Sequence, residues 1–466
     1  MLIRKFQIAI TLSLCTLLLA ACSEPAAVGT AIRNVTVIDA VQGVRSAQTV
    51  MFDGDRILAV QAADLPIDAA TVIDGTGKYL IPGLWDFHVH LTYDSRLTPV
   101  MPALFLRWGI TSVRDTGGLM GEILPVVAAM RATDSIAPRV FFAGPLLDGV
   151  DVVYDGDGRP EIGIAVPTAE TAARIVSELK DQGVDFIKIY EMVRPEVFDA
   201  LVAAAAAAGL PIDSHVPLAL RAREAGPQVD SIEHLRNIEM DCTANAADLH
   251  AQRLQLLKNP ERIPGADLRA ALHSLQRLPA VSAYDETECD AVIAALSDTV
   301  MVPTLRLNSI NLAPPYERVD WDAALAQLPD AVRLEFKTES DRRRSSAPAD
   351  VTYGEWSLFL TGRMQAAGVP IGAGTDTPIN LSIPGYSLHE ELEMLVRAGL
   401  TPLQAIESAT LVPAIYFAKA AEMGSIEAGK LADMVLLDAD PLADISNTRR
   451  IDLVISKGRV AQIEPQ

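Results

Sequence analysis

Six residues scattered through the chain have the types that can hold a pair of divalent cations: His88, His90, Lys188, His215, His234 and Asp376. Each lies at or next to the C-terminal end of an apolar, strand-like segment. Imidazole nitrogens and carboxylates are metal donors. Water on a bound metal becomes a strong nucleophile near neutral pH. His88 and His90 are two apart, so on a strand their imidazoles share one face while Phe87 and Val89 take the other. Lys188 sits in Asp185-Phe186-Ile187-Lys188-Ile189-Tyr190, where alternation puts Phe186, Lys188 and Tyr190 together. A bare ammonium aimed into a core is costly and repels cations. Carboxylation by CO₂ would remove both problems by making an anionic carbamate able to bridge two metals. Asp376 ends Gly372-Ala373-Gly374-Thr375-Asp376, whose glycines leave room on its side of the strand.

Each residue also has a plain structural reading. His-x-His pairs occur in cores and on surfaces, and Lys188 could reach solvent or bind substrate. His215 and His234 could be hydrogen-bonded core histidines, and Asp376 a helix cap. Taken together, those readings require four of the seven histidines, a lysine and an aspartate to line up at strand ends by accident. His250, His273 and His389 receive no role.

The elements that would position the six are legible as alternation. Eight apolar runs recur: Trp85–His90, Thr111–Asp115, Val140–Ala143, Val184–Tyr190, Pro211–His215, Ser231–His234, Val300–Leu305 and Pro370–Asp376. Helical patterns lie between them, clearest at Thr168–Asp181, Pro195–Ala208 and Leu388–Ala398. Repeated strand–helix units imply an α/β fold, a (β/α)₈ TIM barrel with its chemistry at the C-terminal strand ends. β-branched runs at Ile32–Ile38 and Thr49–Phe52, with the Asp53-Gly54 hairpin signal, match the texture of Asp433–Leu437 and Asp452–Ile455. A small β-sandwich domain built from both termini is expected. The expected boundaries are 1–21 for a signal peptide, 22–80 for the first part of the β-domain, 81–421 for the barrel with a helical insertion at 243–296, and 422–466 for the rest of the β-domain.

Arg4 and Lys5 precede the apolar run Phe6–Leu19, and Leu19-Ala20-Ala21-Cys22 resembles a bacterial lipoprotein signal. That resemblance implies cleavage before Cys22, a lipid on Cys22 and export to the periplasm or cell envelope, with Ser23 fitting the outer membrane. Outside the cytoplasm Cys242 and Cys289 are expected to pair, two unpaired buried cysteines being the alternative. With 39 basic against 60 acidic residues the net charge is −21, which argues against nucleic acid as a partner. A small-molecule substrate is expected, and a homo-oligomer is compatible with the sequence.

Longer motifs then carry a resemblance. The stretches Ile81–His90, Gly109–Gly118, Gly183–Ile189, Asp230–His234, Gly372–Asp376 and Gly424–Asp433 resemble the amidohydrolase superfamily, in its imidazolonepropionase/prolidase-like branch. The resemblance implies two metal ions, expected to be zinc. His88, His90 and Asp376 would bind the more buried ion, and His215 and His234 the more exposed one. Carboxylated Lys188 and a hydroxide would bridge them. Ser214-His215-Val216-Pro217 and Glu233-His234-Leu235-Arg236-Asn237 depart from the small residues that relatives often carry there.

The expected reaction is hydrolysis of an amide C–N bond, as in N-acyl amino acids or dipeptides, by attack of the bridging hydroxide with Asp376 as proton shuttle. Tyr190 is the candidate oxyanion donor and Arg306 the candidate for a substrate carboxylate. Tyr353–Trp356 reads as a lid. The alternative enzyme keeps this site for cyclic amides, carbamates or lactones. A non-catalytic surface lipoprotein on the same fold would be expected to have lost ligands.

Overall fold

The computed structural model describes residues 29–259 and 261–461. The signal-like segment and Cys22 lie outside the described residues. Seven short strands and one extended segment form a ring. Leu84–Val89, Ile110–Asp115 and Arg139–Phe142 run parallel. So do Ile187–Ile189, Ile212–Ser214, Ser231–Glu233 and Val300–Val302. The eighth segment joins the two groups. Gly372 N donates to Met301 O at 2.9 Å, and Phe87 N donates to Ala373 O at 2.9 Å. Asp376 N donates to His88 O, and His90 N to Thr377 O, both at 2.8 Å. Across the remaining seam, Asp185 N donates to Phe142 O at 2.9 Å. This is the order of a (β/α)₈ barrel.

The close approach of the eighth segment depends on glycine. A Cβ on Gly374 would lie 2.7 Å from His88 Cβ and 2.9 Å from His88 N. Any side chain there would push Asp376 away from the first strand.

Helices cover the ring. In Ala169–Asp181 the residues Ala172, Ile175, Val176 and Leu179 are buried, an i, i+3, i+4, i+7 stripe that faces the barrel. Thr168 caps that helix by accepting from Thr171 N. Helix Pro195–Ala208 starts on a proline and ends on Gly209 at φ +64°. The segment expected to be an insertion holds helices Ala246–Leu256, Gly265–Ser282 and Glu286–Ala295. A disulfide joins Cys242, in the loop that leads into it, to Cys289 in the last of these helices. Tyr353–Trp356 is no lid: it lies in helix Thr352–Ala366, where Trp356 is buried and Arg277 stacks on the Tyr353 ring.

The two chain ends share one sheet of eight strands. Tyr79–Pro82 is flanked on one side by Thr30–Asp39 and on the other by Met434–Leu437, with Val435 opposite Ile81. Ile32, Val37, Val50, Phe52, Leu80, Met434 and Leu436 fill the core of this sheet.

Candidate metal centre

The barrel brings all six residues to one narrow pocket, which His88, His90, Lys188, His215, His234 and Asp376 line together with Tyr190. His88 Nε2 lies 3.3 Å and His90 Nε2 3.2 Å from Asp376 Oδ1. Donor atoms of these three lie within 4.8 Å of one another. Two donors about 2.1 Å from a tetrahedral ion would themselves be about 3.4 Å apart, so the spacing fits a shared metal. The rings of His88 and His234 have centroids 4.6 Å apart, and those of His215 and His234 4.8 Å.

The other nitrogen of every histidine is occupied. His88 Nδ1 bonds Glu233, and His90 Nδ1 donates to Gly117 O at 3.1 Å. His215 Nδ1 donates to Glu191 Oε1 at 2.8 Å. His234 Nδ1 donates to Thr304 Oγ1 at 2.7 Å, while that hydroxyl donates onward to Pro303 O. An acceptor on Nδ1 fixes the tautomer that leaves the Nε2 lone pair free for a metal. Four such anchors around one pocket are the arrangement a metal needs and a packing role does not explain.

Buried charges hold the anchors in turn. Arg114 donates to Glu233 Oε1 at 2.5 Å, to Ser231 Oγ at 3.0 Å and to Phe87 O at 2.6 Å. Its guanidinium lies 3.7 Å from the Phe87 ring centroid. Phe87 therefore does not face the helices as alternation predicts; a register shift between Asp86 and Val89 breaks the period. Lys188 Nζ donates to Asp213 Oδ2 at 2.9 Å.

These contacts set the protonation states. Burial would raise the Glu233 carboxyl, but Arg114, His88 and Lys188 outweigh it and hold it well below its usual range. Burial opposes protonation of His88, yet Glu233 and Asp376 lift it to about 9. Burial, then the charge of Lys188, pushes His215 well below the usual imidazole value; burial and Arg236 do the same to His234. Both are thus neutral, the form that binds metal.

Local backbone also serves the site. His234 (φ +64°), Thr304 (φ +46°) and Asp376 (φ +61°) adopt left-handed conformations that non-glycine residues rarely take. Such strain persists where surrounding contacts over-determine it.

Two expectations change. Arg306 is not among the pocket residues. Its guanidinium donates to Ile379 O at 3.0 Å and Asn380 O at 2.8 Å, so it ties down the loop after Asp376 from outside the pocket that a substrate would enter. Sequence reading also passed over Glu191, Arg269 and His273. Glu191 Oε1 accepts from Arg269 at 2.8 Å as well as from His215. His273 Nε2 lies 2.8 Å from Glu191 Oε2, off the line of a hydrogen bond. The nearest signal was Glu191 itself, one residue past the strand-end Tyr190.

The comparisons agree with this architecture. The amidohydrolase family model matches residues 360–461. Adenine deaminase 2 of Rhizobium meliloti (strain 1021) is 31% identical over 138 residues, 27% of this chain and 23% of that protein. The chain spans less than a quarter of the length of the curated relatives it matches. A solved Xaa-Pro dipeptidase superposes with a TM-score of 0.66 at 21% identity, covering 92% of this chain and 99% of that one. A bottromycin amidohydrolase gives a TM-score of 0.68 at 22% identity, covering 92% and 86%. The structural likenesses establish the fold. The family match is confined to residues 360–461, and the deaminase likeness to short segments of longer proteins.

Proposed function

We propose that the chain is a metal-dependent hydrolase of amide C–N bonds in small molecules such as N-acyl amino acids or dipeptides. The observation that carries this reading is the set of four pocket histidines whose Nδ1 atoms are all engaged, three of them with Nε2 within 4.0 Å of Asp376. His88, His90 and Asp376 would hold one divalent ion and His215 and His234 a second, with carboxylated Lys188 between them. Nitrogen and carboxylate donors suit zinc. Such ions, when bound, polarise a carbonyl and lower the pKa of water.

The chain's own groups do the rest. Asp376 Oδ2, 4.0 Å from His234 Nε2, accepts the proton of the attacking water and returns it to the leaving nitrogen. Tyr190, whose ring lies 4.4 Å from that of His215, would donate to the developing oxyanion. Carboxylation would cancel the positive charge of Lys188 beside Asp213. Arg114, 3.9 Å from Asp213, is the cation that remains to balance it.

Export and anchorage through Cys22 belong to the same proposal and are supported by the residues from Arg4 to Cys22. Zinc-loaded, bicarbonate-supplemented protein should release amine from N-acyl amino acids or dipeptides. Turnover confined to hydantoin-like rings, carbamates or lactones would move the assignment to the cyclic class. Less than one zinc per chain with no turnover at all would end it. Cys22→Ser should leave the membrane fraction.

A further inference from the structure

A second cleft, of about 190 Å³, lies between helix Tyr386–Ala398 and the loop after Asn308, and it shares no lining residue with the metal pocket. Glu390 and Arg306 both line it and are 7% and 3% exposed. Each keeps one buried polar atom without a hydrogen-bond partner among the described residues: Oε1 of Glu390 and Nε of Arg306. They do not satisfy each other. Arg306 Nε lies 3.9 Å from Glu390 Oε2, and the other two guanidinium nitrogens are held by Ile379 O and Asn380 O. A buried polar atom left unpaired is costly. Burial raises the Glu390 carboxyl, and Arg306, Arg449 and Arg318 offset that only in part.

The other charges of the cleft do not supply the partner. Arg318 grips Glu393 through Nη1 at 2.7 Å and Nη2 at 3.1 Å, and its Nε donates to the Tyr386 hydroxyl at 3.1 Å. Glu317 is exposed on the rim and has no ion pair among the described residues. The lining therefore holds three carboxylates, Glu317, Glu390 and Glu393, against two guanidiniums. Asp320 and Arg449, which touch this set from outside, cancel each other. One negative charge is left over. Leu312, Pro314 and Met394 add apolar surface.

We propose that this cleft is a regulatory site for a small 2-amino alcohol, bound as its ammonium ion. The ammonium donates to Glu390 Oε1, the hydroxyl oxygen accepts from Arg306 Nε, and the carbon chain lies against Leu312, Pro314 and Met394. A cation answers the excess negative charge, and an oxygen beside it answers the unpaired N–H; a plain amine or a plain alcohol meets only one of the two needs. Arg306 carries the effect to the metal pocket. It holds the carbonyls of Ile379 and Asn380, and Ile379 lines that pocket. An occupant that grips Arg306 from behind thus acts on the substrate-facing loop through one side chain.

The test is calorimetric titration of the zinc-loaded full chain with leucinol, isopentylamine and isopentanol, which share one carbon skeleton. Wild type should bind leucinol with a Kd of about 1 mM or tighter. Isopentylamine should bind roughly three- to tenfold more weakly for want of the hydroxyl, and isopentanol at least about tenfold more weakly for want of the charge. Glu390→Gln should weaken leucinol by roughly 10- to 150-fold, the range of a hydrogen bond to a charged group. Ala313→Phe, which builds a ring into the cleft and leaves Glu390 in place, should abolish binding and carries the comparison if the glutamine variant does not fold. Leucinol affinity unchanged in both variants would put the ligand on the metal ions and overturn the assignment. So would isopentanol binding as well as leucinol, or no leucinol binding by wild type. Saturating leucinol should shift KM for an amide substrate by roughly fivefold or more in wild type and not in Ala313→Phe; an equal shift in both, or none in either, would overturn the link through Arg306. Absence of any amide turnover would end the amide-hydrolase reading, and the calorimetry would still decide the cleft.

Discussion

The two histidine pairs at the mouth of the barrel are supported differently. His88 and His90 come from one strand, and their anchors, Glu233 and Gly117 O, belong to the barrel itself. Glu233 is held by Arg114 from strand Ile110–Asp115, which does not pair with its own, and both side chains are fully buried. His215 and His234 come from two strands. Glu191, which anchors His215, is gripped by Arg269 from helix Gly265–Ser282, outside the repeating strand–helix units. The first pair is thus anchored within the barrel, and so is His234 through Thr304, whereas the anchor of His215 is also gripped from an added helix. The lesson is that the inner pair depends on the barrel alone, while the outer pair depends on the insertion as well, through His215.

Asp376 touches both halves, so its loss should have the largest effect. Asp376→Asn should lower kcat by roughly 10²- to 10⁴-fold, measured with zinc content alongside. A variant with full activity would remove it from proton transfer. Next comes the inner half. Glu233→Gln leaves Arg114 buried without its carboxylate, which should cost about 3–5 kcal/mol of stability. It should also weaken the ion at His88 and His90; unaltered denaturant midpoint and zinc content would break the distinction drawn between the halves.

Arg269→Met tests the outer half alone. Loss of a group that orients a ligand typically lowers metal affinity 10- to 100-fold. One zinc should be lost on dilution while the second stays, with little change in global stability. Equal weakening of both ions would show that the halves are not independent.

Least visible at the site is a pH effect on the segment that carries Thr304. Glu391 accepts from Arg306 N at 2.7 Å, and burial raises its carboxyl to about 8. The folded state therefore prefers the neutral acid. The stability this gives is present below about pH 4.5 and is lost as pH rises to about 8, by up to about 1.4 kcal/mol per pH unit. Glu391→Gln should flatten that slope in thermal melts between pH 5 and 8 without changing zinc content.

The convergence of the six residues was legible because it follows from one rule: a parallel barrel gathers the C-terminal ends of its strands. Helix Pro195–Ala208 was legible to the residue from its proline start and glycine stop. What strand periodicity missed has physical causes. Phe87 turned inward because the first strand is irregular beside the histidines. Arg306 was misjudged because a long cation near a strand end looks the same whether it faces ligand or backbone carbonyls. Arg269 and Glu191 are 78 residues apart, and no local pattern announces such a pair.

Tyr79–Pro82 is bordered by a strand from each end of the chain. A polypeptide emerging amino end first must leave one flank of that strand bare until Met434–Leu437 has been made. Contacts across so many intervening residues form slowly. Maturation of this protein is therefore gated by its last segment, and a chain released early would carry an open sheet edge ready to pair with a neighbour.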